Sequence, residues 1–193
     1  HPGSSPIKQA ENYAFRNYPA DEIPVYAFLD PYALKNKRTL KTFIFPPSIS
    51  SFGSFSFYWC INLSNINIPN GTKKLNYETF GLCGANTSVN IPSSVESIDK
   101  YAFESFNGTI SVNKDNQFYS SSDGVLFDKL KHRLIQCPTI KSGSYSIPST
   151  VTTLGGRSFT SCKNLTSVTI PSSVTSIEEQ VFVDCKRLKK IIA

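Results

Sequence analysis

The sequence predicts an α/β repeat solenoid, and three observations carry that expectation. The stretch from Ile147 to Ile192 contains one phrase twice, IPSTVTTLGGRSFTSCKNLTSVT and then IPSSVTSIEEQVFVDCKRLKKII. The copies keep a register of 23 residues, pairing Ile147 with Ile170, Val151 with Val174, Leu154 with Ile177, Phe159 with Phe182, Cys162 with Cys185, Leu165 with Leu188 and Val168 with Ile191. The same period returns at Phe45-Pro46, Ile68-Pro69 and Ile91-Pro92. Residues between these positions are mostly polar. A period in the twenties describes coils that cannot bury their apolar side alone and must stack on their neighbours.

Within one repeat, each segment has its own reading. Leu165 to Ile170 supplies a short strand whose neighbours pair with it in parallel. Pro171 has no N–H to give to a ladder, so it ends the strand and starts a turn. The SxxSI segment makes a second short extended stretch. Glu178 to Cys185 then offers a helical turn with Val181 and Phe182 pointing inward.

Residues 6 to 22 have little apolar periodicity, although Tyr13-Ala14-Phe15 echoes the later Tyr26-Ala27-Phe28. Residues 1–22 therefore read as a tag remnant (His1 to Ser5) followed by a degenerate N-terminal cap. The first coil begins at Ile23 and is completed by Leu40, Phe43 and Phe45-Pro46. Its extra length should bulge as a loop near Pro31 to Arg38. The second and third coils carry the core ladders Ile49, Phe52, Phe57, Cys60, Leu63, Ile66 and Thr72, Leu75, Phe80, Cys83, Asn86, Val89. Thr72 and Asn86 depart from the apolar pattern, and a buried Asn needs hydrogen-bond partners. The fourth coil runs Val95, Ile98, Ala102-Phe103 and then shortens, with Ile110 and Val112 taking the strand positions early. Residues 113–146 break the period. There Val125-Leu126-Phe127 and Leu134-Ile135, joined by a polar turn, read as a β-hairpin. Register resumes at Ile147-Pro148, so residues 23–193 are expected to form a single domain with a variant hairpin repeat at about 113–146.

The consensus IPxxVxxI(x4)Fx2Cx2Lx2VxIP resembles the BspA-like family of leucine-rich repeats, known from surface proteins of host-associated bacteria and some parasitic protozoa. The wording Asp123 to Phe127 with Leu134 to Pro138 resembles a variant repeat of the same family. The resemblance covers about Ile23 to the C-terminus. It implies a leucine-rich-repeat right-handed coil with short parallel strands on the concave face and short helical turns or irregular segments on the convex side. It also implies an extracellular binding role and no catalytic residues, since the motif positions are core positions.

Composition sets bounds on function. The chain has 193 residues, a formal net charge of +6 and 18% charged residues. That balance permits attraction to acidic surfaces without the concentrated patch of a nucleic-acid binder. No apolar run approaches the length that spans a membrane. Of five cysteines, Cys60, Cys83, Cys162 and Cys185 share one repeat position, while Cys137 has no in-register partner. Stacked coils at roughly 4.8 Å leave disulfides geometrically open, yet Phe106 fills the same slot in the fourth coil. The slot therefore wants an apolar filler, and reduced core cysteines are the expectation. A Cys–His nucleophile has only His1 and His132 to draw on, and core thiols lack the exposure it needs. Glu178-Glu179 reads as the acidic start of a helical turn. No metal spacing and no phosphate-cradling loop occur, so neither cofactor nor metal is expected.

Three basic clusters remain: Lys35, Lys37, Arg38 and Lys41; Lys129, Lys131 and Arg133; and Lys186, Arg187, Lys189 and Lys190. Solvated loops or attraction to acidic polymers both account for them. Trp59 falls on the convex turn, as a packing residue. The sequons at Asn62, Asn70, Asn86, Asn107 and Asn164 arise readily by chance in a Ser/Thr/Asn-rich coil, and could carry glycan in a protozoan source.

The functional expectation is a non-enzymatic, secreted or surface-exposed recognition module for host extracellular protein or glycan. The rival is a structural spacer or antigenic display domain of a larger surface protein, with any enzymatic activity, such as a hydrolase domain, outside this fragment. In LxxVxI strands the residues between apolar positions point outward. The expected ligand-binding positions are Asn65, Asn67, Thr87, Ser88, Asn90, Thr166, Ser167 and Thr169, with Lys41, Lys189 and Lys190 at the basic ends. Short polar side chains that merely solvate the sheet are the alternative reading of this face.

Overall fold

The computed structural model describes residues 21–30, 35–36, 38–64, 66–84 and 87–193. The expected N-terminal cap therefore lies almost wholly outside the described residues, as do Asn65 and Asn86. The first half contains β1 (Glu22–Ile23), β2 (Leu29–Asp30), β3 (Lys35–Asn36), β4 (Ser51–Phe52), β5 (Ile66–Asn67), β6 (Lys74–Leu75), β7 (Thr87–Ile91), β8 (Ser97–Ile98) and β9 (Gly108–Val112). Residues 113–146 add β10 (Tyr119–Ser122), β11 (Val125–Asp128), β12 (Arg133–Gln136) and β13 (Ser142–Ser146). The last two coils add β14 (Thr153–Leu154), β15 (Asn164–Thr169), β16 (Ser176–Ile177) and β17 (Lys190–Ile192). The result is a β-solenoid of about six turns with parallel strands, resembling a leucine-rich-repeat coil.

Two kinds of strand alternate along the chain. The LxxVxI segments form the sheets β5-β7-β9 and β13-β15-β17, and the SxxSI segments form β1-β4-β6-β8 and the parallel end of β10-β11-β12-β14-β16. Ladder partners lie one repeat apart, as in Ile66↔Val89 and Phe52↔Leu75. At the expected first-coil bulge, β2 and β3 pair antiparallel on either side of residues outside the description.

The helical turn expected at Glu178 to Cys185 is not there: no helix occurs among the described residues. The backbone instead makes overlapping turns whose hydrogen bonds alternate in direction. In the second coil, Ser56, Tyr58 and Cys60 N–H donate back to Gly53, Phe55 and Phe57 oxygens at 3.2, 3.2 and 3.1 Å. Between them, Phe55, Phe57 and Trp59 N–H donate forward to Tyr77, Thr79 and Gly81 of the third coil at 3.0, 2.9 and 2.8 Å. A helix would spend every N–H within itself. Phe55 and Trp59 sit at φ 57° and 61°, and the pair recurs at Glu78/Leu82, Tyr101/Ser105, Arg157/Ser161 and Gln180/Asp184. A left-handed residue costs an L-amino acid about 1–2 kcal/mol and stops a right-handed helix. The inter-coil hydrogen bonds offset that cost, so stacking selects the turn.

Inside, the repeat positions pile up as columns. Phe57, Phe80 and Phe103 stack with ring centroids 5.5 and 5.6 Å apart. Phe159 and Phe182 continue the motif at 5.1 Å. Thr72, the polar departure in the third coil, is buried and its hydroxyl donates to Ile49 O at 3.1 Å.

The insert is more than a hairpin. β11 and β12 pair antiparallel as expected, but β10 adds a third antiparallel strand, and β12 then pairs in parallel with β14. It also divides the buried apolar residues into two clusters. Leu126 belongs to the one running from Ile23 to Ile110, whereas Val125 and Phe127 belong to the one running to Val181.

Candidate binding surface

The outward faces of the LxxVxI strands hold most of the positions proposed from sequence, because alternation in an extended strand sends successive side chains to opposite sides. In β7, Val89 and Ile91 are buried while Ser88 and Asn90 are exposed and Thr87 is half-buried. Asn67 on β5 is exposed and registers with Asn90, which registers with Ser111 on β9. These make one row of short polar side chains. The Ser111 hydroxyl contacts Asn90 Oδ1 at 3.2 Å and donates to Val89 O at 3.1 Å. Thr87 is less available, since its hydroxyl donates to Ser64 O. Asn67 and Ser88 side chains make no hydrogen bond to a described residue.

Thr166, Ser167 and Thr169 lie on β15 and face outward around the buried Leu165 and Val168. They form a second row with the insert: Ser144↔Ser167↔Lys190 and Ser146↔Thr169↔Ile192. Ser167 and Ser144 hydroxyls are 2.8 Å apart. The face is thus two three-stranded sheets, since β9 and β13 are not paired. Sequence reasoning missed the exposed Thr109 and Ser111 of β9 and Ser142, Ser144 and Ser146 of β13. The early strand in the fourth coil hid the first pair. For β13 the signal was present: Ser144-Tyr145-Ser146-Ile147-Pro148 matches the strand phrase Ser167-Val168-Thr169-Ile170-Pro171.

On the opposite side, a stripe of aromatic rings follows the turns, with Tyr26–Phe55, Phe55–Tyr77 and Tyr77–Tyr101 centroids 5.3, 5.3 and 5.7 Å apart. It ends under Arg157, whose guanidinium lies 4.8 Å from the Tyr101 ring. The insert carries no such turn, so the turns of the fourth and fifth coils face each other across a gap. Side chains bridge it: Arg157 donates to Glu104 at 3.1 Å, and Lys100 and Tyr101 both donate to Glu179. These donors hold the Glu179 carboxyl down at about 2. Arg133 forks onto both Glu178 oxygens at 2.6 and 2.7 Å, and Gly156 N–H adds a third donor at 2.9 Å. The Arg133 hydrogen bonds lower the Glu178 carboxyl as well. Lys100, Tyr101 and Arg133 of these pairs also line a cleft of about 320 Å³, together with Ile98, Tyr119, Asp128 and Gly155.

Four cysteines follow the repeat register, and Cys137 stands outside it: its N–H donates to Ser158 O at 2.7 Å, as Phe159 N–H does to Val181 O one coil on, so its backbone takes the Phe position. Its carbonyl oxygen still lies 3.6 Å from Cys162 Sγ. Cys60, Cys83, Cys137 and Cys162 are buried free thiols, whereas Cys185 is half-exposed. Burial drives the Cys83 and Cys137 thiols well up and pushes Cys185 up to about 11. Among the described residues no group of His, Cys, Asp and Glu is placed to hold a metal, and no helix is long and apolar enough to cross a membrane. Trp59 is packed beneath the Arg38 guanidinium at 4.0 Å. Two of the hairpin cations are engaged within the fold, Lys129 on Asn116 O and Arg133 on Glu178 of the sixth coil.

A sequence profile for the BspA type leucine rich repeat region matches residues 27–142 and 136–193, in six copies. Among curated proteins none matches this chain. Three solved structures share the fold. The crystal structure of the pneumococcal vaccine antigen PcpA superposes with a TM-score of 0.74 at 24% identity, over 80% of this chain and 39% of that one. A leucine-rich repeat protein from Eubacterium ventriosum gives 0.62 at 22% identity, over 79% and 54%. A leucine rich cell surface protein from Faecalibacterium prausnitzii gives 0.59 at 20% identity, over 97% and 68%. The chain thus spans 39% and 54% of the first two.

Proposed function

Because this chain belongs to the BspA-type leucine-rich-repeat family, we propose that it is a non-enzymatic recognition module, secreted or held at a cell surface, that binds host extracellular protein or glycan. The observation that carries the reading is the row Asn67, Asn90 and Ser111 with Ser88 beside it: exposed, short, polar side chains on a backbone fixed by parallel ladders. Such a face offers hydrogen bonds without the rotamer entropy that longer side chains lose on binding. Solved neighbours described as a vaccine antigen and a cell surface protein support the location. The chemistry argues against catalysis, since four of the thiols are buried, with burial raising those of Cys83 and Cys137, and His132 is exposed with no hydrogen bond to any of them. We also read residues 23–193 as one solenoid domain, supported by β11 packing into both apolar clusters.

The test is direct. An array of purified extracellular-matrix proteins and glycans identifies a ligand, and replacing Asn65, Asn67, Thr87 and Asn90 by bulky charged residues should abolish its binding while leaving Tm unchanged. Binding that survives those changes but is lost on trimming Lys129 to Arg133 would move the contact to the hairpin tip. Failure to bind any arrayed ligand favours a spacer or display role.

A further inference from the structure

The missing convex turn of the insert leaves a second feature, on the other side of the gap from the Arg133 cleft. Each convex turn is a one-way ladder, since its forward N–H groups need carbonyls from the following coil. Trp59 N–H reaches Gly81 O and Leu82 N–H reaches Glu104 O, both at 2.8 Å, and Ser161 N–H reaches Val183 O at 2.9 Å. Ser105 holds the same position in the fourth coil at φ 54°. The turn that should receive its N–H is absent, and that N–H has no acceptor among the described residues. Beside it opens a groove of about 480 Å³. Unused hydrogen-bonding groups of this kind are uncommon in folded chains unless water or a ligand meets them.

The walls of the groove define what it would take. Asn107 and Asn164 present exposed side-chain amides with no hydrogen bond to a described residue. Hydroxyls come from Ser105, from Ser161 (3.5 Å from Asp184 Oδ2) and from Thr139, whose hydroxyl donates to Phe106 O at 3.3 Å and keeps its lone pairs to accept; an ammonium comes from Lys163, which pairs with Asp184 at 3.4 Å. Ile61 and Leu82 give one apolar wall. Gly84, at φ 100°, keeps the rim low: a Cβ there would come within 2.6 Å of Asn107 O. Amides and hydroxyls offering both donors and acceptors, with one apolar side and little net charge, match a ring that carries vicinal hydroxyls on its edge and C–H groups on its face. A charged phosphate or an apolar molecule matches poorly. We infer that the groove between the fourth and fifth convex turns is a saccharide subsite, with a pyranose ring lying against Ile61 and Leu82. Asn107, Asn164 and the Ser105 N–H hold its hydroxyls. The inference does not rest on the strand-face reading, because the groove opens where the convex turns run into β9 and β15.

Saturation-transfer NMR with glucose, galactose, N-acetylglucosamine and glucuronic acid as probes tests the proposal and separates neutral from acidic sugars. At least one should show transfer to the wild-type protein. The decisive variant is Ser161→Trp. Trp59 already occupies the matching left-handed turn position of the second coil, so the fold accepts that side chain there, and it would fill the groove. Its Tm should stay at the wild-type value while affinity falls at least about tenfold. Asn164→Ala and Asn107→Ala should each weaken binding about fivefold, the loss of one hydrogen bond. Asn67→Lys with Asn90→Lys, on the strand face, should leave it unchanged. No transfer from any of the four sugars, or binding indifferent to Ser161→Trp, overturns the proposal. A sugar lost instead with the Asn67 and Asn90 changes belongs to the strand face and overturns it equally.

Discussion

Left-handed backbone at non-glycine residues is the recurrent local feature of this chain, and it sets which side chains the turns tolerate. At Ser105 (φ 54°) a β-branched residue adds contact between its second γ-atom and the backbone. Ser105→Val should lower stability by about 1–2 kcal/mol. Ser105→Gly should be near neutral, because relief of strain offsets the extra freedom of the unfolded chain. Urea titration of both variants checks this, and equal losses would remove strain as the cause. The thiols give a second residue-scale expectation. Thiolate is the reactive form, and burial holds Cys185 near 11, so native protein should react only at Cys185, slowly at neutral pH and faster as pH rises. Cys60, Cys83, Cys137 and Cys162 should react only after unfolding, giving five thiols in all. Fewer than five in denaturant would mean a bridge. The column was legible for four cysteines because the period aligned them. Cys137 stands outside that register, and what the period could not show is that its backbone, at the Phe position, brings its carbonyl within 3.6 Å of Cys162 Sγ.

At the scale of elements, the SxxSI and LxxVxI strands could be read directly from spacing, whereas the convex segment could not. Its apolar residues at Val181 and Phe182 and its acids at Glu178 and Glu179 suit one helical turn as well as a stacked one. What decides is the neighbouring coil, whose Arg157, Phe159 and Ser161 N–H donate to the segment's Glu179, Val181 and Val183 oxygens at 3.0, 3.0 and 2.9 Å; local pattern carries no record of that. Glu179 serves instead as a clamp across the turnless insert to the fourth coil, and Glu178 as one onto Arg133 of the insert itself. Both carboxyls are lowered by their donors, Glu179 from 4.5 to about 2. A lowered carboxylate binds protons less readily folded than unfolded, so its contribution is present above pH 4.5 and fades as pH falls toward 2. Glu78 works the other way, since burial and nearby Glu104 raise it. Wild-type protein should lose stability over that acid range more steeply than a Glu178→Gln/Glu179→Gln variant. Because the pairs are largely exposed, the difference should be small and should shrink further as salt is raised. Parallel pH profiles of Tm for the two proteins would exclude the clamps as the source.

For the whole molecule, stability in a solenoid is close to a sum of coil terms and nearest-neighbour contacts. The 23-residue period made the stacking legible in the second, third, fifth and sixth coils, where the repeat positions recur with their spacing intact. The division of the core could not be seen that way. It arises because β11 runs antiparallel and presents Leu126 to one cluster and Val125 with Phe127 to the other. Phe127 is fully buried against the later coils, so Phe127→Ala removes its packing there and leaves a cavity, at a cost of about 3–5 kcal/mol. Contacts within residues 23–112 are untouched, apart from those passed through β11. Hydrogen exchange should therefore show protection lost across β14, β15 and β16 while β4, β6 and β7 keep theirs. Leu126→Ala should give the reverse pattern, lowering protection in β7 and β9 first. If both variants depress exchange protection equally along the entire chain, the two clusters fold as one cooperative unit and the insert is no mechanical seam.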